Sequence, residues 1–170
     1  MGYYTRKNVY KKAFIHKSFN QQYNNERLEF LGDTILSLII SEFLFLEHPK
    51  EEEGFLTKRR AVIVGRRHLN LVGKSIIPEK IIKSHLNPIS LSLYGNTLEA
   101  LIGAIYIDKG IETTKRFVMK HIYQSAFLKD LSEIDFKGTL LQYGQKKNIK
   151  IKYKLDSQEG LAHKKECSVS

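Results

Sequence analysis

Three acidic side chains interrupt an otherwise apolar stretch in NNERLEFLGD, residues 24 to 33: Glu26, Glu29 and Asp33. At roughly 100° per residue, spacings of three and four put them on one stripe of a helix, within about 60° of one another. ILSLII and FLFL follow, so much of this helix must face protein. Carboxylates clustered beside a core repel one another and are costly to desolvate, and something positive has to offset them. A second group lies in GNTLEALIGA, where Asn96 and Glu99 stand three apart beside small residues. Two helices that each carry oxygen ligands at helical spacing can cross and pool them. An all-oxygen set suits a hard cation such as Mg²⁺, which keeps waters and takes one or two carboxylates plus substrate phosphates. Paired ions of this kind drive phosphodiester hydrolysis, one activating water and the other stabilising the leaving oxygen. The same acids would equally serve as a solvated face, paired with Arg27 and lysines nearby.

Most of residues 3 to 128 reads as helix. Residues 8 to 18 carry Val9, Ala13 and Ile15 among basic residues, and 24 to 47 form the long helix with the acidic stripe. HPKEEEG breaks the pattern, with Pro49 and Gly54 as punctuation. FLTKRRAVIVGRRHLNLVGKSI has apolar positions at helical spacing, Thr57 as its N-cap and a break at Gly65 or Gly73. Residues 78 to 93, with Pro78 and Pro88, read as a short helix and loop. GNTLEALIGAIYIDKG is a compact helix ending at Gly110, in which Ala100, Gly103 and Ala104 would let another backbone come close. Residues 111 to 128 form a last amphipathic helix. The character then changes. DFKGTLLQYGQKKN is helical in pattern, IKIKYKL (149 to 155) alternates like a half-solvated strand, DSQEG reads as a turn and HKKECSVS as a second strand.

Composition narrows the function classes. With 170 residues, 42% hydrophobic and 27% charged, the chain has the make-up of a folded domain rather than a disordered one. A net charge of +10 points to a polyanionic partner, nucleic acid before an acidic membrane; compositional drift is the other source of such a charge. Cys167 is the only cysteine, which excludes an internal disulfide and a thiolate zinc site within one chain and fits a reducing cytosol. MGYYTRKNVYKKAF has no apolar core of a signal peptide. The longest nearly uncharged apolar run, 34 to 46, falls short of the ~20 residues of a membrane span and contains Glu42. VGKS at 72 to 75 is not a phosphate loop, because His68 stands where that motif needs glycine. His16 near Ser18 is read as a helix-end or packing residue. Lys58, Arg59, Arg60, Arg66 and Arg67 spread around a helix, so only some of them could touch phosphate.

Residues 26 to 33, ERLEFLGD, resemble in full the core signature of the ribonuclease III family. AFIHKSFN (13 to 20) is similar to that family's A-x-x-H-[KR]-S element and EGFLTKRRAVIV to its G-x-L-[ST]-x-x-R-A segment. YGNTLEALIGAIYIDKG is similar to its second acidic motif, D-x-x-E-A-L-I-G-A-I-Y-L-D-x-G. The four motifs occur in the family's order and cover most of residues 9 to 128. The resemblance implies an Mg²⁺-dependent endonuclease of double-stranded RNA, with Mn²⁺ able to substitute, and an all-helical nuclease domain acting as a homodimer. It implies Glu29, Asp33 and Glu99 as metal ligands, Asp33 and Glu99 as catalytic residues, Glu26 at the dimer interface, and Phe30 as an apolar knob packing into the partner. From the residues alone, Phe30 is either such an outward contact or an ordinary core aromatic.

Asn96 departs from the family pattern, which has Asp there. An amide oxygen can ligate Mg²⁺ but brings no charge, so the fourth ligand is weakened. Three readings stay open: a natural enzyme that tolerates Asn, a naturally inactive RNA-binding relative, and an engineered inactive form. The tail resembles the start of a double-stranded RNA-binding domain, with Gln142 and His163 placed to reach a minor groove. The third strand and second helix of such a domain are not among these residues, so its duplex binding is expected to be weak. The expected architecture is thus an all-α ribonuclease III nuclease domain, residues 1 to 134, then a partial α/β (αββ) segment, residues 135 to 170. Expected partners are double-stranded RNA and a second copy, with no membrane; the expected work is rRNA and mRNA processing in the cytoplasm. The alternative is a catalytically inactive duplex-RNA-binding or ribosome-associated protein on the same fold.

Overall fold

Leu28, Gly32, Ile35, Leu36, Ile39, Ile40 and Leu44 recur at three- and four-residue spacing, and in the computed structural model they form the buried stripe of one helix, α2 (Glu26–Glu47). The structure describes residues 6–128, Gly144, 155–159 and 166–169, and the chain divides into the units Met1–Ser132 and Glu133–Ser170. The regular elements of the described part of the first unit are all helical, with one isolated bridge between Ile15 and Lys83. Around α2 stand α1 (Arg6–Ala13), α3 (Glu53–Ile63), α4 (Arg66–Ile76), a 3₁₀ turn (Glu79–Ile81), α5 (Leu91–Val118) and a π-helical turn (Met119–Tyr123).

The core lies chiefly between α2 and α5. Leu36, Ile40, Leu98 and Ile102 are wholly buried there, each contributing roughly 1.5–3 kcal/mol relative to an exposed side chain. The two helices come into backbone contact. A β-carbon on Gly32 would overlap the carbonyl of Glu99, and one on Gly103 would overlap the carbonyl of Leu28. The small residues singled out in the second acidic motif therefore do what their size allows. Val9 and Ala13 of α1 join Leu28, Ala100 and Ala104 in a smaller cluster beside this crossing.

Several boundaries differ from the sequence expectation. The first helix stops at Ala13 rather than near residue 18, because Ile15 forms a parallel bridge to Lys83. Lys83 N–H donates to the Phe14 carbonyl at 2.8 Å and His16 N–H to the Lys83 carbonyl at 2.9 Å. Those long-range bonds take the backbone groups that another helical turn would use. Thr57 is not an N-cap: α3 starts four residues earlier, and the Thr57 hydroxyl donates to Glu53 Oε1 at 2.6 Å. An acidic residue in that first turn suits the positive end of the helix. The break between α3 and α4 falls at Gly65, not Gly73. α5 breaks at Gly110 as expected; its φ of 74° and ψ of −177° belong to glycine, and the chain resumes helix to Val118. The last expected helix is thereby split, with a π turn at Met119–Tyr123 and residues 126–128 helical after it.

In the second unit, β1 (Leu155–Glu159) pairs antiparallel with β2 (Glu166–Val169), matching Gln158 with Cys167 and Glu159 with Glu166 and irregular between Leu155 and Ser157. DSQEG was expected to turn; Asp156 to Glu159 are instead strand, their polar composition outweighed by pairing with β2. The expected helix before them and most of the strand at 149 to 155 lie outside the described residues, as do Gln142 and His163.

Candidate active site

The crossing of α2 and α5 sets the site. Because Gly32 rests on the Glu99 carbonyl, its neighbour Asp33 and Glu29, one turn earlier, are held beside the segment that carries Asn96 and Glu99. Glu26, Glu29, Phe30 and Asp33 from α2, Asn96 and Glu99 from α5, and Arg66, Leu69 and Asn70 from α4 line one open cleft of about 490 Å³. The two acidic motifs, more than 60 residues apart in sequence, meet on one wall.

Their electrostatics show the crowding. Burial pushes the Glu99 carboxyl up to about 7, helped by the carboxylates of Asp33 and Glu29 and opposed by Arg66. Glu29 is also raised, first by burial and then by Glu26, with Lys17 and Arg66 acting against the shift. Glu26 has a direct counter-ion, Lys17, at 2.8 Å. Among the described residues, Glu29, Asp33 and Glu99 have no ion pair within 4 Å. Glu26 is thus ion-paired, Asp33 is exposed without an ion pair, and Glu29 and Glu99 are half-buried.

Among the described residues, no three His, Cys, Asp or Glu side chains stand at metal-holding distances as they lie. The Asn96 amide adds an oxygen but no charge. The donor chemistry nonetheless fits a hard divalent ion. All the donors are oxygens, Glu29 and Glu99 are half-buried, and the crowding that lifts Glu99 is of the kind a cation relieves.

Phe30 stands at the rim of the cleft and is 78% exposed, which excludes the core-aromatic reading. Leu38 and Phe45 continue an exposed apolar line along α2. His16 has a packing role: its Nδ1 lies 2.8 Å from Ser18 Oγ, which is 3.1 Å from Ser84 Oγ and accepts the His85 N–H.

Two cleft residues escaped sequence reasoning. Arg66 was one of five basic residues without a place, and Asn70 carries no motif. With Leu69 they follow helical spacing on α4, a usable signal only once the neighbour of α4 is known. His68 is a third omission. It is fully buried, its Nδ1 2.7 Å from the Ile63 carbonyl and its Nε2 2.6 Å from Ser125 Oγ. A carbonyl only accepts, so Nδ1 carries the proton, and burial lowers the ring's pKa.

The first unit is thus a helical domain with an acid-lined cleft at a helix crossing. The nuclease domain of ribonuclease III from Campylobacter jejuni, described as flexible in a region involved in dimer formation, superposes with a TM-score of 0.67. The two are 35% identical, over 73% of this chain and 91% of that one. The family model described as Ribonuclease-III-like matches residues 6–126, and the chain belongs to the ribonuclease III family. It is 36% identical to ribonuclease 3 of Nitratiruptor sp., over all of this chain and 80% of the relative. It is 38% identical to ribonuclease 3 of Bacteroides fragilis over 93% of this chain, but spans only 59% of that relative's length. No described helix is long and apolar enough to cross a membrane.

Proposed function

We propose that this protein is an Mg²⁺-dependent endonuclease of double-stranded RNA, working as a homodimer in rRNA and mRNA processing in the cytoplasm. The observation that carries this reading is the meeting of Glu29, Asp33, Asn96 and Glu99 in one cleft at the α2–α5 crossing of a ribonuclease III-family domain. Glu29, Asp33 and Glu99 would hold the divalent ion, with Asn96 a fourth, uncharged oxygen donor, and Glu99 would serve as a ligand in its carboxylate form. Mg²⁺, or Mn²⁺ in its place, supplies a Lewis acid for the phosphate and a more acidic bound water. Asp33 and Glu99 are the catalytic pair. A water oxygen bonds to phosphorus, the bond from phosphorus to the 3′ oxygen breaks, and that oxygen leaves with a proton, giving 5′-phosphate and 3′-hydroxyl ends. The exposed ring of Phe30, with Glu26 beside it, packs against a second copy. The second unit corresponds to the first part of a double-stranded RNA-binding domain, with Gln142 and His163 directed to the minor groove; the antiparallel pair β1–β2 supports this assignment.

Asn96 favours a second reading, a catalytically inactive duplex-RNA-binding or ribosome-associated protein on the same fold. Long duplex RNA incubated with Mg²⁺, with Mn²⁺ and with chelator separates the two. Metal-dependent cuts, abolished in Glu99→Gln, support the nuclease. Duplex binding without any cut supports the inactive form.

A further inference from the structure

Glu29, Asp33 and Glu99 form a wall that, on the functional reading above, must receive a phosphodiester, itself an anion. With Asn96 uncharged, the cleft has less negative charge to recruit cations that would screen that anion. Arg66 is the basic residue among those lining the cleft. It is the first residue of α4, after Gly65 as N-cap, so its side chain starts from the positive end of a helix. It acts on Glu29 and Glu99 through space, yet among the described residues makes no ion pair within 4 Å, whereas Lys17 is committed to Glu26. One turn on, Asn70 faces the same cleft. It is only 9% exposed, and its Oδ1 has no protein hydrogen-bond partner. That oxygen is closed off from solvent against Gly95, which leaves the exposed Arg66 as the polar group that this face of α4 offers to a guest.

We infer that Arg66 grips the phosphodiester in this cleft, its guanidinium donating to the non-bridging oxygens opposite the carboxylate wall. This rests on the proposed function. A guanidinium presents a planar fork that matches two phosphate oxygens, which a lysine ammonium does not. Aimed at charge that grows in the transition state, it acts on turnover as well as on binding.

Three measurements on Arg66→Gln, Arg66→Lys and the unchanged protein test the inference. They are Mn²⁺ binding by calorimetry, affinity for a short RNA duplex by fluorescence anisotropy in chelator, and cleavage at saturating Mg²⁺. Arg116→Gln, which removes the same charge outside the cleft, is the control, and circular dichroism checks that all variants fold. For Arg66→Gln, Mn²⁺ is expected to bind severalfold more tightly, since a repelling charge is gone. Duplex affinity should fall about tenfold, with its salt dependence reduced by about one ion, and kcat should fall about 10²-fold or more. Arg66→Lys recovers more of the affinity than of kcat. A change in Mn²⁺ affinity alone would make Arg66 only a counter-ion of the acids and overturn the inference; so would no change at all. If the unchanged protein binds duplex but never cuts, the nuclease reading fails, and duplex affinity alone decides the role of Arg66. If it neither binds nor cuts, both fall.

Discussion

Gly32 of α2 and the backbone carbonyl of Glu99 in α5 are in van der Waals contact, with no room for a β-carbon between them. The acidic wall is therefore held by main chain against main chain. Gly32→Ala is expected to force the helices apart, at a cost of about 1–3 kcal/mol in urea unfolding, and to weaken Mg²⁺ binding as well. Gly54→Ala is the contrast: nothing lies within 4 Å of the added methyl, and in helix α3 it should stabilise by about 0.5–1 kcal/mol.

Asn96→Asp places a further carboxylate beside Glu99. Metal affinity in calorimetry is expected to rise about tenfold, in keeping with one added charge near the ion. Cleavage at limiting Mg²⁺ should rise with it. Unchanged affinity in a folded variant would remove Asn96 from the ligand set.

Glu99 is raised to about 7 from an ordinary value of 4.5. Between those values the folded chain holds a proton that the unfolded chain has lost, so stability falls as pH rises through this window. Metal-free unfolding followed from pH 4.5 to 7 should show that fall, and Glu99→Gln should remove it. Mg²⁺ affinity should drop as pH falls below about 7, because the proton competes with the ion.

His68 acts with the opposite sign. Its pKa is lowered by burial, so the unfolded chain takes up a proton that the folded one refuses. This contribution to stability is complete above the ordinary value of 6.5 and is lost as pH falls below it. Acidification from pH 7.5 to 5.5 in a Glu99→Gln background isolates the effect, and adding His68→Gln should flatten the slope.

Phe30→Ala should leave the unfolding midpoint of dilute, unassociated protein nearly unchanged, since the ring is 78% exposed in the single chain. Light scattering at micromolar concentration should nonetheless show weaker self-association. A variant that associates as the unchanged protein does would take Phe30 out of the interface.

The helical architecture and its acid wall were legible because both rest on local periodicity. Glu26, Glu29 and Asp33 interrupt an apolar stripe, and Gly103 sits among small residues at helical spacing. What was not legible depends on partners distant in sequence. The bridge from Ile15 to Lys83 ends α1 early, pairing with β2 turns DSQE into strand, and the fold of α4 over the cleft gives Arg66 and Asn70 a place. The outward aim of Phe30 is of the same kind, since a large apolar side chain looks alike in sequence whether it faces its own core or the solvent.

The backbone seam between α2 and α5 separates scaffold from reagent. Asn and Asp have nearly the same shape, so interchange at position 96 alters the ionic character of the cleft while the carbonyl-to-glycine spacing stays as it is. A lineage built on this crossing can retune or silence its chemistry one side chain at a time and still inherit the same frame.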